Sequence, residues 1–169
     1  LETITQTLVR WVDAIRDTGI AGIYYALQFA RPERLSEAEY REFGRPNDLR
    51  ILAAAEGLWL NLLHIHERNI LFDTVADYPV ALMNWHDRDT APSLAEALRR
   101  IEPAVIGGLI SSTHMQDGTP ETIRAEIHDV IRQTGTRRVM IGTGCATPIT
   151  APFANVWAAR RAVEEIRGE

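Results

Sequence analysis

LWLNLLHIHERN, residues 58–69, is the stretch from which the fold can be read. Its first six residues are almost wholly apolar, and a run of that length predicts a buried strand over Leu58–Leu63. Side chains alternate between faces along a strand, so His64 and His66 are expected on the same side, about 7 Å apart. Two imidazoles so placed can share a ligand. Imidazole is the commonest metal-binding side chain, but a zinc site needs a third or fourth donor from elsewhere. The chain has one cysteine, Cys145, and it ends VMIGTGC (139–145), another apolar run that leads into glycines and a polar group. On the residues alone a plainer reading stands beside this one, in which a pair of histidines at a strand end is ordinary loop polarity.

On either side of this stretch, apolar runs alternate with helical spacing. Ile4, Leu8, Val9, Trp11, Val12 and Ile15 mark a first helix that stops near Gly19. Strands are predicted over Ala21–Leu27, Val80–Trp85, Val105–Ile110 and Arg138–Gly142, in addition to Leu58–Leu63. Between them, Ser36 and Glu39 form a capping box opening a helix to Gly44, and Pro46 restarts a helix through Ala55. A short helix is expected over Asn69–Ala76, and Ser93 caps one from Leu94 to Ile101. Thr119-Pro120-Glu121 opens a helix that Gly135 closes, and the last begins at Thr150-Ala151-Pro152. Five strand-helix units in succession predict an α/β fold with a parallel sheet, in a single domain over 1–169.

Composition narrows the function. The chain has 169 residues, 46% of them apolar and 24% charged, as in ordinary globular proteins, with a formal net charge of −5. That balance argues against nucleic acid, whose phosphates demand a basic surface. No apolar run is long enough to span a membrane and no signal peptide is evident, while a lone cysteine fits a reducing, cytoplasmic setting. GTGC (142–145) lacks the spacing of a dinucleotide fingerprint or a P-loop, and no GxSxG elbow marks a serine hydrolase.

In parallel α/β folds, sites form at the C-terminal ends of strands. Just beyond the predicted strands stand Gln28 and Arg31, then His64 and His66, then Asn84, His86 and Asp87, then Ser111 and His114, and finally Cys145. Gln28, Arg31, Asn84, Ser111 and His114 are therefore candidate substrate-binding residues, and His86 and Asp87 candidate catalytic ones. The residues before the strands, such as Gly19, Gly57, Pro79 and Pro103, are turn formers.

Seven segments carry a family resemblance. They are ALQF (26–29), LSEAEYREFGRP (35–46), LLHIHERN (62–69), ALMNWHDR (81–88), SLAEALRR (93–100), GGLI (107–110) and VMIGTGCATPITAPFANVWAARRAV (139–163). In this order they resemble the C-terminal part of the uroporphyrinogen decarboxylase superfamily, over nearly the whole chain. The resemblance implies a (β/α)8 TIM barrel of which these are the last five units, a partial barrel. The first three units are then expected to be missing, through truncation or cleavage, or the exposed edges to be covered in a homo-oligomer.

The superfamily holds cofactor-free decarboxylases and zinc-dependent, corrinoid-linked methyltransferases. The decarboxylase branch is expected to show a histidine in the motif after the last strand, where this chain has Gly142-Thr143-Gly144-Cys145, and a serine where it has Phe29-Ala30-Arg31. The methyltransferase branch carries His-x-Cys after one strand and Gly-Cys after the last. His64 and Cys145 match those positions, and His66 replaces the first cysteine with another zinc-competent donor. The resemblance thus implies zinc on His64, His66 and Cys145, with His86 or Asp87 as a further ligand or hydrogen-bond partner. It also implies a small-molecule substrate and a corrinoid protein as methyl carrier. Two other readings stand open: a decarboxylase-like lyase whose histidines anchor carboxylates, and a non-catalytic fragment or interaction module.

Overall fold

The structure is a computed structural model that describes residues 1–168. Its strands are β1 (Tyr24–Leu27), β2 (Leu62–Ile65), β3 (Leu82–Trp85), β4 (Ala104–Leu109) and β5 (Val139–Thr143). The helices are α1 (Glu2–Ile15), α2 (Glu37–Glu39), α3 (Arg45–Ala54), α4 (Phe72–Val75), α5 (Leu94–Leu98), α6 (Thr113–Asp117), α7 (Pro120–Thr134) and α8 (Phe153–Gly168). The strands form one sheet in the order β1-β2-β3-β4-β5, so chain order and sheet order coincide. The β1–β2 and β4–β5 pairs are parallel. This is the expected α/β pattern of repeated parallel units. The chain divides into two compact units, Leu1–Met83 and a second that begins at Asn84.

In the first unit, α1 packs on α3, burying Val12 and Thr5, whose hydroxyl donates to Asn47 Oδ1 at 2.9 Å. The capping box at Ser36 and Glu39 forms as expected. The break expected between Gly44 and Pro46 does not. A π-turn over Tyr40–Gly44 joins α2 to α3, with the Arg45 N–H donating to the Tyr40 carbonyl. Proline has no N–H to place in the helical ladder, and one widened turn carries the chain past Pro46 unbroken.

β2 begins four residues later than the apolar run predicts, at Leu62. The cause is Asn61, buried at the strand's entrance. Its Oδ1 accepts from Ile23 N at 3.1 Å, taking the place of a ladder partner, and its Nδ2 donates to Ala55 O at 2.9 Å. Leu58–Leu60 are thereby held in the turn that leaves α3, and Trp59 faces solvent. His64 therefore lies inside β2, opposite Ala26, and His66 just past its end donates its N–H to Leu27 O.

The second unit packs Leu109, Met115, Ile123, Ile127, Ala158 and Ala162 into one cluster between β4, α6, α7 and α8. Each fully buried Leu, Ile or Met there contributes about 1.5–3 kcal/mol of transfer free energy. Thr119 caps α7 by accepting from Thr122 N, Pro120 occupies its first turn, and Gly135 ends it with φ 72°. Asn155, almost wholly buried, donates from Nδ2 to Met115 O and Gly118 O and so ties α8 to the end of α6. The α6 turn, which carries His114, is a helix the spacing of apolar residues did not announce. Among the described residues, no helix is long and apolar enough to cross a membrane.

Candidate functional site

In the first unit the site residues gather at the ends of β1 and β2. His64 is 4% exposed, and its ring stacks on that of Tyr24 with centroids 5.8 Å apart. His66 projects to the same side, its ring centroid 5.7 Å from that of His64, and each ring offers a nitrogen within 4.8 Å of the other's. The two-residue period of the strand is what brings them together. Arg31 lies beside them through Glu67, whose carboxylate is 3.6 Å from Arg31 Nη1 and 3.5 Å from His66 Nε2. Glu67 has φ 72°, a left-handed backbone that a non-glycine residue adopts at a cost of order 1 kcal/mol. Gln28 is exposed at the same strand end.

In the second unit, Cys145 is brought to His86 by a glycine. Gly144 lies on the end of β3, where an added Cβ would stand 2.8 Å from His86 Cα and 3.0 Å from Trp85 O. Its N–H donates to Leu109 O at 3.2 Å, and the Thr143 hydroxyl donates to Cys145 O. A ring nitrogen of His86 and the Cys145 Sγ consequently lie within 4.8 Å of each other. The GTGC glycines thus serve close backbone packing.

Asn84, Asp87 and His114 have protein partners of their own. Asn84 is buried and donates from Nδ2 to Ile106 O at 2.9 Å and Thr143 O at 3.1 Å, clasping β4 and β5. Asp87 turns away into the protein. Its Oδ1 accepts from Gly108 N at 3.0 Å, and a Cβ on Gly107 would overlap it. Burial pushes its carboxyl up to about 6, against the lowering effect of the Gly108 N–H and the Arg88 guanidinium. Ser111 is half-buried after β4. His114 Nδ1 is 2.8 Å from Glu126 Oε1.

Sequence reasoning passed over Glu67, Arg88 and Glu126, and it took Gly144 only as part of the Gly-Cys motif. Arg88 joins β4 to α7, donating to Gly108 O, Asp129 Oδ2 and the Glu126 carbonyl. Glu126 had a signal: it adjoins Ile127 and follows Ile123 by three, which puts a carboxylate beside the buried stripe of α7. Nothing local marked Glu67 or Arg88.

The family model described as uroporphyrinogen decarboxylase (URO-D) matches residues 1–166. The chain belongs to the uroporphyrinogen decarboxylase family. Among curated proteins none matches. A solved structure, a methyltransferase from Methanosarcina mazei, superposes on this uroporphyrinogen decarboxylase family chain with a TM-score of 0.82 at 20% identity. The match covers 96% of this chain and 47% of that one, so the chain spans about half the length of its structural neighbour. Five parallel β/α units are thus an unclosed part of the family's barrel.

The donors are two imidazoles in the first unit and an imidazole and a thiol in the second, a partial ligand set in each unit taken by itself. Nitrogen and sulfur donors of this kind suit zinc, whereas a carboxylate-rich set would suit calcium or magnesium.

Proposed function

We propose that this chain is the ligand-bearing part of a zinc-dependent, methyltransferase-like enzyme, in which His64, His66 and Cys145 hold one zinc ion and His86 is a fourth, exchangeable donor. A methyl group would pass between a small-molecule substrate and a corrinoid protein. The observation that carries this reading is the donor chemistry, three imidazoles and one thiol and no carboxylate, at the ends of three strands. Zinc held by such donors lowers the pKa of a coordinated thiol or alcohol and leaves it nucleophilic at neutral pH.

The chain's own residues have defined parts in this reading. His64 is buried and stacked on Tyr24, packing that fixes its ring orientation. Gly144 sets Cys145 against His86. Arg31 and Gln28, beside the histidine pair, face a substrate's polar end. Ser111 and His114 do the same from β4, while Asn84 and Asp87 act by holding β4 in place. The enzyme works in a reducing cytoplasm, where Cys145 stays a thiol. The exposed edges of β1 and β5 are covered by a complementary half-barrel or by a second copy of the chain.

Metal analysis tests the reading. Stoichiometric zinc is expected after loading and dialysis, and it should be lost in both His64→Ala and Cys145→Ala. A second reading, a carboxy-lyase, is supported by the description the family carries. Protein that takes up no zinc but binds polycarboxylates would establish that reading and sink the first.

A further inference from the structure

The zinc reading turns His114 toward the substrate but leaves its pairing with Glu126 unused. Glu126 belongs to α7, yet its side chain is only 11% exposed and reaches back to the end of β4. One oxygen meets His114 Nδ1 at 2.8 Å, and the other lies 3.4 Å from the donating Ile110 N–H. An ionised carboxylate is an acceptor only, so the neutral ring places its proton on Nδ1 and leaves Nε2 as a base. The His114 side chain is 38% exposed, open to a molecule arriving from solvent.

The placement of the pair is as telling as its chemistry. Ile110 directly follows Leu109, the residue of β4 registered with Thr143 of β5, and Leu109 O accepts the Gly144 N–H. Met115 N donates to Ile110 O, which seats the α6 turn on that strand end. His114 is therefore carried by the same strand ends that carry Cys145. Glu126 on α7 stands against it, while Arg88 donates to the Glu126 carbonyl and Asp129. From α8 the uncharged Asn155 meets the end of α6, and Ala158 and Ala162 share its apolar cluster.

We propose that His114, oriented by Glu126, accepts the proton that an incoming thiol substrate gives up. The S–H bond breaks, the proton forms an N–H bond at Nε2, and the electron pair stays on sulfur. The imidazolium so formed is stabilised by the Glu126 carboxylate, as a base oriented by a third group is in other acid-base sites. This rests on the zinc-thiol reading above, and it adds the residue that removes the proton.

Proton inventory tests it without turnover. Ethanethiol is titrated into the zinc-loaded protein by calorimetry near neutral pH, in buffers of different ionisation enthalpy, so that the protons released to buffer can be counted. Retention on His114 predicts a release well below one proton per thiol bound, rising to about one in His114→Asn. Glu126→Gln keeps an acceptor for the ring but removes the charge, and is expected to release an intermediate number while its melting temperature stays near that of the parent. Equal release by all three proteins means that the pair only staples α6 to α7, and the proposal fails. Protein that takes up no zinc, or binds no thiol once loaded, overturns the zinc reading and this proposal together.

Discussion

Asp48 sits in no motif, yet three phenols converge on it. Tyr25 donates to Oδ1 at 2.7 Å, while Tyr40 and Tyr78 donate to Oδ2 at 2.6 and 2.8 Å, all within the first unit. The carboxylate is almost fully buried, and hydrogen bonds to a charged group are worth about 1.5–3 kcal/mol each. Tyr40→Phe is accordingly expected to lower unfolding free energy by roughly that amount in a urea titration. Burial, and then the negative charge of Asp48, raise all three phenols above their ordinary value. An acid whose folded pKa is raised holds its proton longer than the unfolded chain does. Stability is then complete below about pH 10 and falls as pH rises beyond it. Absorbance near the tyrosinate band should show three of the four tyrosines ionising together with unfolding; early, independent ionisation would disprove the arrangement. At the candidate site, Gly144→Ala would force a Cβ onto His86 Cα and Trp85 O. Loss of zinc uptake with little change in circular dichroism is the expected result, and unaltered uptake would free Cys145 from dependence on that contact.

Among the elements, β4 shows how much a local rule leaves to packing. Its glycine pair leaves room for neighbours to come close, and which neighbours do so came only from the fold. Gly108 has φ 100° and lies against α7, where an added Cβ would stand 2.4 Å from Val130 Cγ2. Gly108→Ala therefore combines backbone strain with overpacking and should cost about 2 kcal/mol or more, measured by chemical denaturation. The capping box at Ser36 and the caps at Ser93 and Thr119 formed as read, because a cap is satisfied within four residues, and Ser93 adds a capping box with Glu96. The start of β2 and the continuity of α2 with α3 did not follow the sequence reading. Asn61 satisfies Ile23 and Ala55, neither adjacent to it in the chain, and the π-turn at Pro46 depends on a bond between Tyr40 and Arg45 that no spacing rule reports.

For the whole molecule, a ligand that binds only the folded chain stabilises it by mass action, about 2.7 kcal/mol at a hundredfold excess over Kd. Zinc drawn from both units, as proposed, should raise the melting of both together and do nothing in Cys145→Ala. A rise confined to one transition would put the metal in one unit alone. The sequence by itself determined the α/β class, the order of the five strands, the family and the collection of histidines and Cys145 at strand ends. Those features rest on periodicity and on the common direction of parallel strands, which carries every strand's following loop to one end. Only the tertiary structure decided that Asp87 turns under the β4 glycines, that Asn84 clasps two strands, that Gly144 sets Cys145 against His86 and that Glu126 orients His114. These contacts join residues 12 to 59 positions apart, and such distances are set by how elements pack rather than by any pattern along the chain.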